Sequence, residues 1–113
     1  MKIVKDKVGL NELKEMTKRM YENLVKAVVD VEKEIMAVDA EMHVDLEQLL
    51  IEKENCEPKN LWGINFHPDF DGENFIEFDS MINLKPLLGN KKRGVENLEV
   101  QNKIRKIVTK LVK

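Results

Sequence analysis

The chain has 113 residues, of which 42% are hydrophobic and 35% charged, with a formal net charge of −2. That length fits a single domain, 1–113, able to bury roughly two thirds of its unfolded surface. The composition excludes a collagen-like repeat, a membrane span and a wholly disordered chain. Cys56 is the only cysteine, which excludes an internal disulfide and a CxxC metal knuckle. Met1 to Lys7 has no apolar run of signal-peptide length, so the expected location is cytoplasmic.

Charge is unevenly placed. Residues 1–29 hold seven Lys/Arg against four Asp/Glu, residues 30–84 three against fifteen, and residues 85–113 nine against two. A split of this kind raises the expectation of an electrostatic role, against a partner or between parts of one fold. The plainer reading has the basic C-terminal part neutralising the acidic middle, within one chain or across a homodimer. The net negative total argues against nucleic acid as a partner, as does an aromatic content of 5%.

In chain order, Ile3 and Val4 suggest a short edge strand. Leu10, Leu13, Met16, Met20 and Leu24 then recur at helical spacing, with Lys14, Glu15, Lys18, Arg19 and Glu22 between them, which predicts an amphipathic helix. Val25, Val28, Val29 and Val31 favour a strand, since branching at Cβ costs rotamer freedom in a helix. Glu32-Lys33-Glu34 would be the hairpin turn, although it lacks the Gly or Asn of a tight one; a continuous helix from Leu10 to Val38 is the competing reading.

Val38, Ala40, Met42, Val44 and Leu46 alternate with Asp39, Glu41, His43, Asp45 and Glu47. Period two predicts a strand with one buried and one wet face. Glu52 to Asn60, with Pro58, is expected to be a loop. Trp62, Ile64 and Phe66 alternate again, and Phe75 to Leu84 is expected to return as a strand after the turn Pro68 to Gly72. Pro86 to Gly94 reads as an exposed loop. Val100, Ile104, Ile107, Val108 and Leu111 define a C-terminal helix with Asn97 as N-cap. The expected fold is α+β: an antiparallel β-meander of three to four strands with an N-terminal and a C-terminal helix packed on one face.

Two groups of side chains could carry chemistry. On an extended 38–46 segment Glu41, His43 and Asp45 would share the wet face, and His67 and Asp79 from neighbouring strands could join them, with Asn65 and Glu77 nearby. Carboxylates with imidazole suit a divalent metal such as Mn²⁺, Zn²⁺ or iron, and carboxylates alone suit Mg²⁺; the bland alternative is a solvated acidic face that keeps sheets from sticking together. Lys85, Lys91, Lys92 and Arg93 precede the last helix and could hold an anion, or simply face the acidic sheet. They lack the Gly-rich spacing and Lys-Ser/Thr of a P-loop. Trp62 is expected in the core, Cys56 to be unreactive, and Ser80 lacks a GxSxG context.

Val25-Lys26-Ala27-Val28-Val29-Asp30-Val31-Glu32, His43-x-Asp45-x-Glu47, Leu61-Trp62-Gly63-Ile64-Asn65 and Ile76 to Asn83, followed by Pro86 and Asn90, resemble a domain-of-unknown-function family of small prokaryotic proteins. The chain departs from that pattern at Lys85, where Arg is frequent, at Lys92, where Ser is usual, and at Asn55-Cys56, where Gly-Ser is usual. The resemblance implies a self-contained domain and carries no catalytic residue with it. With no complete catalytic set in the sequence, the leading expectation is a non-enzymatic binding or assembly module that forms a homodimer, without a membrane role. The alternative is a metal-dependent hydrolase, phosphodiesterase-like, using the acidic and histidine face.

Overall fold

A computed structural model describes residues 1–113 apart from Met20 and Glu22. Among these residues five strands, β1 (Lys2–Val4), β2 (Val25–Asp30), β3 (Ile35–Val38), β4 (Leu61–Phe66) and β5 (Ile76–Glu77), form one antiparallel sheet in the order β1-β3-β2-β4-β5. Among the described residues three helices join it: α1 (Leu10–Thr17), α2 (His43–Glu54) and α3 (Leu98–Leu111).

The valine-rich segment is the central strand of this sheet, and the continuous-helix alternative is not what forms. Val25, Ala27 and Val29 point to one face and Val28 to the other, and all four are buried. The turn to β3 works without Gly or Asn at its centre. Asp30 Oδ1 accepts from the backbone N–H of Glu32 and of Lys33, each at 2.8 Å, and Glu34 takes the left-handed φ of 57°. An Asx-type cap thus replaces the glycine the sequence lacks. β1 pairs with β3, so Ile3 and Val4 do form the edge.

α1 and α3 lie on the same sheet face, as expected. Leu13 and Met16 join Ile104, Ile107, Val108 and Leu111 over Trp62, Ile64 and Phe66 in the larger core. α1 ends at Thr17, so Leu24 is outside it, and Met20 of the expected stripe and Glu22 of its polar side lie outside the described residues. Asn97 caps α3, its side chain accepting from Glu99 N and Val100 N.

The opposite face carries an element the alternating pattern concealed. Val38 ends β3, Asp39 turns the chain with a left-handed φ of 74°, and the segment from His43 is helical. The expected strand through Leu46 is therefore replaced by α2. Its buried stripe is His43, Leu46 and Leu50, spaced three and four apart, whereas Met42 and Val44, placed by the alternation in the core, are exposed. Burying Leu46 and Leu50 completely against Val28, Ile35, Ala37 and Leu61 contributes about 1.5–3 kcal/mol each. α2 carries the chain across β2, from β3 to β4, so the strand path is not a simple meander.

The expected strand over Phe75–Leu84 shortens to the two residues of β5. Single 3₁₀ turns follow at Met81–Asn83 and Pro86–Leu88. Leu84, at the end of the expected strand, is exposed.

Candidate functional site

The middle of β4 is where the motifs of the sequence meet. Gly63 and Asn65 point toward the α2 face, opposite Trp62, Ile64 and Phe66. His43, at the start of α2, lies over Gly63, and its Nε2 is 2.8 Å from the carbonyl oxygen of Ile64. A Cβ at position 63 would stand 2.5 Å from both Cβ and Oγ of Ser80 and 3.2 Å from Cδ2 of His43. Only glycine permits this approach.

Beyond Gly63 no strand among the described residues continues the sheet; a side chain does. Asn83 Oδ1 accepts from Gly63 N at 2.8 Å and its Nδ2 donates to Gly63 O at 2.9 Å, so the amide takes the place of a neighbouring backbone. Nδ2 also donates to Arg93 O at 2.8 Å, and Ser80 N donates to the same carbonyl at 3.0 Å. Asn90, equally buried, donates to the carbonyls of Asn83, Lys92 and Gly94 and accepts from Glu96 N. Lys85 and Asn90 exchange two backbone hydrogen bonds, and Gly89 turns the chain between them with φ 79°. The tip of this miniature hairpin is Leu87, which is 100% exposed, beside the half-exposed Leu88.

Asn65, 5% exposed, donates from Nδ2 to Glu77 Oε1 at 2.9 Å and to Asp79 O at 3.4 Å, while its Oδ1 is buried without a hydrogen-bond partner. His67 Nε2 is 3.1 Å from the same Glu77 oxygen, and Arg93 Nε pairs with Asp79 Oδ1 at 2.6 Å. Burial holds His43 below its ordinary pKa, with the Lys26 ammonium acting in the same direction; the Ile64 carbonyl, Asp79 and Asn65 oppose it. A neutral ring that donates from Nε2 follows from those surroundings.

The five expected metal ligands are distributed over separate places. His43 sits over Gly63, His67 pairs with Glu77, and Asp79 pairs with Arg93. Glu41 and Asp45 instead line a shallow hollow of about 400 Å³ on the other flank of α2, with Asp39, Glu52, Leu49 and Met1. Among the described residues, no group of three or more His, Cys, Asp or Glu side chains is arranged to hold a metal ion. The shared wet face expected for Glu41, His43 and Asp45 does not form: Glu41 precedes α2, while His43 and Asp45 project from its first turn roughly 200° apart.

The four basic residues also part company. Lys85 turns inward, donating to Pro58 O at 2.8 Å with Nζ 5.3 Å from the centre of the Trp62 ring. Burial lowers its pKa against the pull of Glu47, and burial raises that of Glu47 in turn. Arg93 is engaged by Asp79, whereas Lys91 and Lys92 are exposed just past the base of the miniature hairpin. Cys56 is buried, and its thiol is pushed up to about 12 by burial and by Asp30. Asn83 and Asn90 were not legible as site residues. Asparagine in a stretch rich in turn formers reads as a turn residue, and nothing local marks it as a stand-in for a strand.

Fold and site define a small α+β domain in which a buried asparagine network props up an exposed loop beside the sheet. The chain belongs to the family described as "Protein of unknown function (DUF5674)", whose model matches residues 2–111. No curated protein matches it. No solved structure matches it either. No helix among the described residues is long and apolar enough to cross a membrane.

Proposed function

We propose that this domain is a non-enzymatic binding module whose docking element is the loop from Met81 to Arg93. One observation carries the reading: a fully exposed leucine, Leu87, is held at the tip of a turn whose base is fastened by the buried side chains of Asn83 and Asn90. Buried amides are costly unless every partner is met, and here they are spent on the position of a loop with no core of its own. Fixing the backbone in advance lowers the ordering cost of association. Met81, Leu84 and Leu88 add apolar surface, and Lys91 and Lys92 supply a cationic flank. The matching partner is a protein surface with an apolar floor and an acidic rim.

The test is site-specific photo-crosslinking in cells, with the photoreactive residue placed at position 87 or, as a control, at Leu98, which is 70% exposed. The reading expects one discrete adduct at 87, identified by mass spectrometry, and none at 98. Equal adducts at both positions, or none at 87, would overturn it.

A second reading, a metal-dependent hydrolase, draws on the buried Oδ1 of Asn65, which has no hydrogen-bond partner, on the amide whose Nδ2 donates to Glu77. Calorimetric titration with Mn²⁺, Mg²⁺ and Zn²⁺ tests it. Saturable heat that disappears in Asn65→Ala supports a metal there; no heat with any of the three removes it.

A further inference from the structure

α2 and α3 cover opposite faces of the sheet and carry opposite charge. Leu46 and Leu50 of α2 are buried in one cluster with Val28, Ala37 and Leu61, whereas Ile104, Ile107 and Leu111 of α3 share the other with Val29, Trp62 and Ile64. α2 holds Asp45, Glu47, Glu52 and Glu54 against Lys53, and α3 holds Lys103, Arg105, Lys106 and Lys110 against Glu99. On the outward side of α2, Val44, Asp45, Gln48 and Glu52 are all exposed, and they fall within one arc of about 100°. This side is acidic but not wholly polar: Val44 is 51% exposed, and Met42 just before the helix is 54% exposed.

Beside the C-terminal half of α3, two hollows of about 300 and 400 Å³ share Gly72, Phe75, Thr109 and Val112, and so run together as one groove. Phe70, 57% exposed, and Phe75 give it apolar walls. Arg105 lines one hollow and Lys113 the other, so the groove has a cation at each end against the single acid Asp71. Asp45, Glu52, Arg105 and Lys113 form no ion pair among the described residues. Asp45 and Glu52 stand two turns apart on α2, about 10.5 Å; Arg105 and Lys113 bracket the last two turns of α3, a comparable span.

From this match in charge, apolar content and length we infer that the groove receives α2 of a second copy of this chain, in a head-to-tail contact. Val44 seats between Phe70, Phe75 and Val112, and the two carboxylates meet the two cations. The apolar contact supplies the affinity and the charges set the register. The two patches differ and lie on opposite sides of the sheet, so no two-fold axis is required. Each copy that lends its α2 still offers its own groove, and association continues past two copies. The inference is independent of the loop at 81–93.

Sedimentation velocity over a dilution series tests this at low salt and in about 1 M salt, where the Debye length falls to about 3 Å. The wild type is expected to grow past a dimer as concentration rises, and to associate about tenfold more weakly in high salt. Val44→Lys sets a cation against the cationic groove, and Thr109→Trp fills the groove with an indole. Each variant, checked for native circular dichroism, is expected to be monomeric alone. An equimolar mixture joins the intact α2 of one to the intact groove of the other, and is expected to stop at a dimer. A wild type that is monomeric at every concentration overturns the inference, whatever other acidic helix the groove receives. So does growth that ends at two copies, growth unchanged in either variant, or a mixture that stays monomeric. Where a variant fails to fold, the wild-type series decides on its own.

Discussion

The side-chain amide of Asn83 pairs with the backbone of Gly63 in both directions, at 2.8 Å to its N–H and 2.9 Å from its carbonyl oxygen. A strand edge in the interior is thereby satisfied by one residue from a 3₁₀ turn, and the loop that follows inherits a fixed starting point.

Asn83→Ala removes both bonds and a third to Arg93 O, leaving buried peptide groups without partners. The expected loss is about 2–5 kcal/mol of unfolding free energy. Urea denaturation followed by circular dichroism measures it; a loss under about 1 kcal/mol would show that water or a shifted backbone replaces the amide.

Gly63→Ala forces a methyl group into contact with Ser80 and His43, and overpacking of this kind costs about 1–3 kcal/mol. Ser80→Gly removes the Cβ and Oγ that the methyl meets. The double variant is therefore expected to be more stable than the two single losses added together. A double-mutant cycle with simple additivity would contradict the close contact.

His43 makes stability depend on pH. Burial lowers its folded-state pKa below the ordinary 6.5, so the unfolded chain takes up a proton first as pH falls. The contribution of the neutral buried ring is complete above the unfolded value and is lost as pH drops from about 6.5 through the lowered folded value. The stability difference between wild type and His43→Gln, from urea midpoints between pH 7.5 and 5, is expected to shift against the wild type in that window. A difference constant with pH would contradict it.

Cys56 is predicted to be inert in the native chain. With the thiol pushed up to about 12, the thiolate at pH 8 is scarcer than in an ordinary cysteine by about a thousandfold, and the side chain is buried as well. Alkylation is expected to proceed only as fast as the domain opens, and to become immediate in denaturant. Rapid labelling of the folded chain would place Cys56 elsewhere.

What the sequence disclosed and what it concealed divide along physical lines. α3 was legible because an apolar stripe of helical period and an Asn cap are both local signals, and both are realised. The β2 valines were legible for the same reason. Val38 to Leu46 misled because a strand end, a turn at Asp39 and a first helical turn happen to place apolar residues two apart. The signal that separates the cases is His43, Leu46 and Leu50, a three-and-four spacing that continues beyond the alternation. Asn65 and His67 meet Glu77, and Asn65 also reaches the Asp79 carbonyl. Glu41 and Asp45 were assigned to them on the strength of the strand that does not form. The Asn83 and Asn90 network depends on contacts between residues up to 20 positions apart, which no local pattern encodes.

The central claim is that buried amides hold an exposed apolar tip in one conformation. Backbone ¹⁵N relaxation of Leu87, Leu88 and Gly89 tests it most directly. Order parameters at the rigid-backbone level, about 0.85, are expected in the wild type, with a fall at these residues in Asn90→Ala. Values below about 0.6 in the wild type would contradict it, since a tip that moves freely on that timescale is not held in advance for any partner.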